Sequence, residues 1–285
     1  MSKGIYIGLD IGGTKILAAS ATPDGHIQHK IRRETPLDLE TGIALLKELV
    51  VELSVGKKLL SIGAAVGGPL DWKTGVVSPL HQPRWQKVPI KSIFESTFSC
   101  PFYVDVDTNV AAMGEYRHLP EKPSRLLYLT ISTGVGGGFV VDGYIYRGSD
   151  GAHPEAGHHA IPFKCRFPGR VVCDCGGPDC LEALVSGTGI QRIFQKPAEA
   201  LLPDEWEEVG YNLGRGLQNL AILHAPDVIV LGGGVAIGAG EKLLAPARKT
   251  LKKYLKYVPM PALQLSILGY ESGLVSALSL ARQPF

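Results

Sequence analysis

Short and long apolar runs alternate along this chain, and their order predicts alternating strands and helices. Residues 4–9 and 16–21 are short apolar runs on either side of Asp10-Ile11-Gly12-Gly13-Thr14-Lys15. The second run closes at Pro23-Asp24-Gly25 before any helical period is established, so the pair reads as a hairpin, with a third strand over 27–34. From residue 39 to 53 the period lengthens, with Ile43, Leu46, Val50 and Leu53 on one face of a core-facing helix. Residues 60–66 return to a buried strand that runs into Gly67-Gly68-Pro69. Residues 101–106 form another, after which Asp107-Thr108-Asn109 opens a helix over 110–116. The second half repeats the plan. Residues 127–141 read as strand, hydroxyl- and glycine-rich turn, strand, and an amphipathic helix is expected over 206–224, a buried strand over 227–231 and helices over about 240–254 and 273–281.

The two hairpins carry the chemistry. Ser132-Thr133-Gly134 joins the second as Gly12-Gly13-Thr14 joins the first, about 120 residues apart, and such self-similarity implies two similar lobes. A glycine- and hydroxyl-rich turn lets backbone N–H groups converge on an anion with no Cβ in the way. Each turn taken alone is explained equally well as a tight hairpin; the pair favours a nucleotide whose phosphates meet both. Neither GxxxxGK[ST] nor GxGxxG is present at the first turn, which argues against a Walker A loop and a dinucleotide fold. A third glycine group, Gly232-Gly233-Gly234, ends the strand over 227–231 ahead of a helix, where it permits close approach of a ligand.

Composition narrows the class without naming a reaction. The 285 residues are 45% hydrophobic and 20% charged, enough for two core-bearing lobes. A net charge of +2 leaves no electrostatic footprint for nucleic acid or an anionic membrane. The chain moves from Met1 straight into its first strand with no leader and no spanning run, so a cytoplasmic protein is expected. Three of the five cysteines, Cys173, Cys175 and Cys180, fall within eight residues. In a reducing compartment that spacing points to metal rather than disulfide. With an imidazole it makes the Cys₃His set of a structural zinc; Cys165 is the other conceivable ligand, though a free thiol is the plainer reading.

These motifs resemble the ROK family of bacterial sugar kinases, within the actin-like ATPase and hexokinase superfamily, over nearly the whole chain. The resemblance rests on Asp10-Ile11-Gly12-Gly13-Thr14-Lys15, on Asp105-Val106-Asp107-Thr108-Asn109, on the Gly148-to-His159 segment with His153-Pro154-Glu155 and His158, and on Cys173-x-Cys175 to Cys180-x-Glu182. It implies an α/β fold of two ribonuclease H-like lobes with nucleotide and sugar in the cleft between them. The lobes would be residues 1–118, completed by the C-terminal helix over 271–285, and residues 119–270, with polar residues 120–123 as the hinge. It further implies transfer of the γ-phosphate of Mg·ATP to a hexose hydroxyl, the 6-hydroxyl first. Asp107 would be the base, and Gly68, Glu155, His158 and Glu182 would contact the sugar. Asp10, Gly12, Gly13, Thr14, Lys15, Thr133, Gly134, Gly233 and Gly234 would hold Mg·ATP. His158, Cys173, Cys175 and Cys180 would hold zinc, and family habit implies a homodimer.

Departures from the family pattern bear on substrate. Val106 stands where glucose-type members have an asparagine, and valine makes no hydrogen bond to a sugar hydroxyl. His153-Pro154 replaces the commoner Ala-Gly, and both features lean towards fructokinases, whereas the zinc loop looks glucokinase-like. Fructose, mannose and N-acetylglucosamine therefore stay beside glucose as acceptors, and polyphosphate beside ATP as donor. The loop over 78–89, with Trp85, is expected to shape a pocket wall. The family's sugar-sensing repressors carry an N-terminal helix-turn-helix, for which there is no room before Asp10, so a regulator is disfavoured.

Overall fold

The computed structural model describes residues 4–284; residues 1–3, on which the expectation of no leader partly rests, lie outside them. The chain forms two compact units, one of residues 1–114, 147–152 and 271–285, the other of residues 115–146 and 153–270.

In the first unit the short apolar runs become β1 (Ile5–Ile11), β2 (Lys15–Ala21) and β3 (Ile27–Glu34), an antiparallel meander. Helix α1 (Leu39–Ser54), capped by Asp38 through the Thr41 N–H at 2.8 Å, leads to β4 (Leu59–Val66). A small hairpin of β5 (Leu70–Asp71) and β6 (Val76–Val77) follows, then α2 (Ile90–Phe98), β7 (Phe102–Val106) and α3 (Asp107–His118). β4 lies parallel to β1 and β7 parallel to β4, giving the order β3-β2-β1-β4-β7. The chain leaves this unit inside α3, between Gly114 and Glu115, ahead of residues 120–123.

The second unit begins with β8 (Arg125–Ile131), β9 (Val135–Val141) and β10 (Tyr144–Ile145), again an antiparallel meander. Helices α4 (Leu181–Val185), α5 (Gly187–Phe194) and α6 (Pro203–His224) precede β11 (Val228–Gly232). Then come α7 (Gly234–Ala239), α8 (Glu241–Tyr254) and β12 (Ala262–Leu265). The order β10-β9-β8-β11-β12, with β11 and β12 parallel to β8, repeats the first sheet strand for strand. The self-similarity read from the two hairpins thus extends to whole sheets.

The last helix, α9 (Ser272–Arg282), packs on β1, β2 and β4 of the first unit. It comes so close that a Cβ on Gly63 would stand 2.2 Å from the Ala277 carbonyl, and Ser61 Oγ donates to the Ala281 carbonyl at 2.5 Å. The opposite face of the sheet buries Ile5, Ile7, Leu9 and Ile11 against Leu46, Leu49, Val50 and Phe94. In the second unit α6 and α8 pack together over β8 and β11, with Trp206, Leu213, Leu217 and Leu251 in the core.

Three expectations are corrected. Trp85 lines no pocket wall: it is fully buried, with its ring against Gly42, because the apolar face of α1 needs a large cover. The helix placed over 110–116 starts at Asp107, since a strand-end carboxylate suits the first turn of a helix. A short α7 precedes the helix placed over 240–254, ending at Gly240, whose positive φ of 57° breaks the helical run. Among the described residues no helix is long and apolar enough to cross a membrane.

Candidate active site

In the first unit the parallel strands β1, β4 and β7 end together. Asp10, Ala65 and Asp105 form one cross-strand row, while Ile11, Val66 and Val106 form the next. Alternation along a strand sends these two rows to opposite faces. Val106 is therefore buried, and Asp105 and Asp10 share the other face. Asp107 follows two residues after Asp105 as the first residue of α3, and its Oδ1 accepts from the Thr108 N–H at 2.7 Å.

Burial, with the Asp107 carboxylate adding repulsion, pushes the Asp10 carboxyl up to about 6, against a smaller opposing pull from Lys15. The turn after Asp10 is tightly closed. Gly12 N–H donates to the Lys15 carbonyl at 3.0 Å, and its own carbonyl accepts from Thr35 Oγ1 at 2.7 Å and Gln82 Nε2 at 3.3 Å. The Thr35 N–H donates to the Thr14 carbonyl at 3.1 Å. His81, on the loop over 78–89, covers Gly13 so closely that a Cβ there would meet His81 Cβ at 2.8 Å. At the end of β4, Gly68-Pro69 is a cis peptide, and the Gly68 carbonyl accepts from the Leu80 N–H at 3.0 Å.

One feature of this unit escaped the sequence reading. Asp105 is buried, its Oδ1 accepting from the Val106 N–H at 2.7 Å and from Asn109 Nδ2 at 3.1 Å, and Arg147 closes an ion pair on it. The guanidinium also stacks on the Trp72 ring at 4.5 Å. A buried carboxylate two residues before the candidate base was the available signal, because it demands a cation; the sequence did not say which one.

In the second unit the Ser132-Thr133-Gly134 turn is held from two sides. Gly187 N–H donates to the Ser132 carbonyl at 2.7 Å, and Thr188 N–H to the Thr133 carbonyl at 3.2 Å, both from the start of α5. On the other side Glu182 Oε2 accepts from the Val135 N–H at 2.8 Å. Gly233, with φ +85°, caps α7, and a Cβ there would stand 2.4 Å from the Ile131 carbonyl, whereas Gly234 faces open space.

His158, Cys173, Cys175 and Cys180 offer ligand atoms all within 4.8 Å of one another. Cys175 Sγ is 3.4 Å from Cys173 Sγ and 3.4 Å from Cys180 Sγ, and Cys173 Sγ is 3.5 Å from His158 Nδ1. A tetrahedral zinc with Zn–S bonds of about 2.3 Å separates its sulfurs by about 3.7 Å, so this donor set fits. The Gly177 N–H, followed by the neighbouring thiols, lowers Cys175 to about 7, while burial pushes Cys180 up to about 12. His158 turns Nε2 towards Glu182 Oε1 at 4.0 Å. Cys165 stands outside the group, accepting from the Phe167 N–H at 3.4 Å. Glu155 is exposed beside His153 at 3.4 Å.

The structure therefore gathers Asp10, Gly12, Gly13, Thr14, Lys15, Gly68 and Asp107 at one end of the first sheet. In the second unit it brings His158 and Glu182 together with the Cys cluster, and ties Glu182 to the turn carrying Thr133 and Gly134. The model of the ROK family matches residues 6–284. A glucokinase of Halalkalibacterium halodurans is 30% identical over 99% of this chain and 96% of its own. Among solved structures, a ROK hexokinase from Thermus thermophilus superposes with a TM-score of 0.80 at 32% identity, covering 97% of both chains. A ROK family glucokinase from Streptomyces griseus, in complex with glucose and AMPPNP, gives a TM-score of 0.80 at 29% identity over 98% of this chain and 100% of its own. The α/β architecture expected from the motifs is the one these kinases share.

Proposed function

The chain belongs to the ROK family, and from that premise we propose that it is a sugar kinase that transfers the γ-phosphate of Mg·ATP to a hexose, at the 6-hydroxyl. The observation that carries this reading is the pair Asp10 and Asp107 at the ends of the parallel strands β1 and β7, which flank β4, close enough for the Asp107 carboxylate to add to the burial that raises the Asp10 pKa. Two acidic groups at one strand end suit two tasks. Asp107 takes the proton of the attacking hydroxyl, and Asp10 holds a hydrated Mg²⁺ that neutralises the transferring phosphoryl group. Gly12, Gly13, Thr14, Lys15, Thr133 and Gly134 receive the phosphates, and Gly233 and Gly234 leave room for the adenosine end. Gly68, Glu155, His158 and Glu182 orient the sugar, carboxylates accepting two hydroxyl protons each.

His158, Cys173, Cys175 and Cys180 would hold a structural zinc, whose contribution is to fold and fix the loop, the ring N–H of His158 facing Glu182. The two lobes of this reading are residues 1–118 with 271–285, and residues 119–270. The protein acts in the cytoplasm as a homodimer.

His153-Pro154 and Val106 favour a second acceptor, fructose, and the buried valine offers a sugar no hydrogen bond. A coupled ADP-release assay with Mg·ATP across glucose, fructose, mannose and N-acetylglucosamine tests both readings. Hexose-dependent turnover on one of them is expected, and Asp107→Asn should cut kcat by about 10²- to 10⁴-fold while leaving hexose binding near wild type. Absence of turnover on every hexose, or an Asp107→Asn rate near wild type, overturns the assignment.

A further inference from the structure

The chain enters the second unit at Glu115, and from Arg147 to Ala152 it returns to the first before going back at His153. This six-residue strap is fastened at both ends. At its start the Arg147 guanidinium pairs with Asp105, whose side chain is 4% exposed against 15% for Arg147, and stacks on Trp72. Towards its end Gly151, with φ +80°, lies against the same indole, so that a Cβ there would be 2.4 Å from Trp72 Cδ1. Asp105 also accepts from Asn109 in the first turn of α3, the helix that begins with Asp107. Three residues beyond Ala152 comes Glu155.

We propose that Arg147 is a positioning residue for the acceptor sugar: through Asp105 it fastens the strap, from which the chain runs on to Glu155, to β7, the strand that ends at Asp107. The inference rests on the kinase reading and deepens it. A planar guanidinium engages both carboxylate oxygens and a ring face at once, which fixes an orientation that a point charge leaves free. A backbone shift on the scale of an ångström at a sugar ligand is enough to cost a large factor in productive binding. The donor turn at residues 12–14 makes no hydrogen bond to the strap, so the effect belongs to the acceptor.

The test compares wild type with Arg147→Ala and Arg147→Lys. Steady-state rates give KM for hexose and for Mg·ATP separately, and calorimetry gives the hexose Kd without ATP. Arg147→Ala should raise KM and Kd for hexose by about tenfold or more, with KM for Mg·ATP changing by less than about twofold. Added guanidinium ion should restore part of the hexose affinity. Arg147→Lys should fall between, and it is read in the same way if the alanine variant does not fold. Unchanged hexose constants overturn the proposal, as does a parallel rise in both KM values that guanidinium does not reverse. A wild-type enzyme that binds hexose but releases no ADP would sink the kinase reading instead, and the hexose Kd values would still decide the role of Arg147.

Discussion

Gly273, in the first turn of α9, lies so close to Asp10 that a Cβ on it would stand 2.4 Å from Asp10 Oδ2. That approach shields the carboxylate from water, and with Asp107 nearby it raises the Asp10 pKa from 3.8 to about 6. A raised carboxyl pKa means that the fold favours the protonated form. The associated stability is complete below about pH 4 and lost as pH rises through about 6. In metal-free buffer at pH 8, Asp10→Asn should therefore be more stable than wild type by about 2 kcal/mol, read from denaturant melts. The same substitution should abolish turnover, and in wild type kcat/KM for Mg·ATP should fall below about pH 6 as Asp10 loses its charge.

Glu182 joins two halves of the proposed chemistry, because its Oε2 accepts from the Val135 N–H beside the second turn while Oε1 faces His158. Glu182→Ala should raise KM for hexose and for Mg·ATP together, each by about tenfold, since it frees the turn as well as the sugar site. Glu155→Ala, with no hydrogen bond to either turn, should raise only the hexose KM. Initial-rate grids over both substrates separate the two patterns.

Stripping zinc should act on stability before chemistry. A strong chelator, or Cys175→Ser, is expected to lower the melting temperature and release close to one equivalent of zinc, with loss of hexose affinity following loss of the loop. Metal quantification alongside a thermal melt reads both. A chelated protein with an unchanged melt and unchanged hexose affinity would remove the zinc from its structural role.

Gly233→Ala puts a Cβ 2.4 Å from the Ile131 carbonyl on a residue with φ +85°. The strain should cost about 1–3 kcal/mol of stability and weaken nucleotide binding, while leaving hexose binding close to wild type. Gly234→Ala, whose Cβ meets nothing, should be far milder in the melt.

Glu115 is fully buried, paired with Ser266 Oγ and accepting from the Ile267 N–H at 3.1 Å. Glu115→Ala leaves those donors without an acceptor and should cost about 3 kcal/mol in a chemical denaturation curve.

Most strands and the long helices were legible because their apolar spacing is local. β3 falls where the pattern places it, and α1, α6 and α9 differ from it by a few residues at most. Two-residue strands such as β5 and β6, and the short α4, carry too few residues for any period to register. The site shows the same division. Asp10, Asp107, the two turns and the cysteine cluster stand in motifs a few residues long. Arg147 and Trp72 were invisible because a pairing across 42 residues, between Arg147 and Asp105, leaves no trace in spacing.

The sequence by itself determined the two-hairpin repeat and the close spacing of Cys173, Cys175 and Cys180, since each depends on residue types at fixed short separations along one backbone, whereas Asp107 as candidate base and His158 as candidate ligand came from the family resemblance. Only the tertiary structure decided which residues share a face and what surrounds them. It turned Val106 to one face of the sheet and Asp105 to the other with Asp10, buried Trp85 in the core, and set α9 against the first sheet. It also raised the Asp10 pKa to about 6. These outcomes depend on sheet register and on desolvation by chain segments more than 200 residues away, quantities that no local pattern encodes.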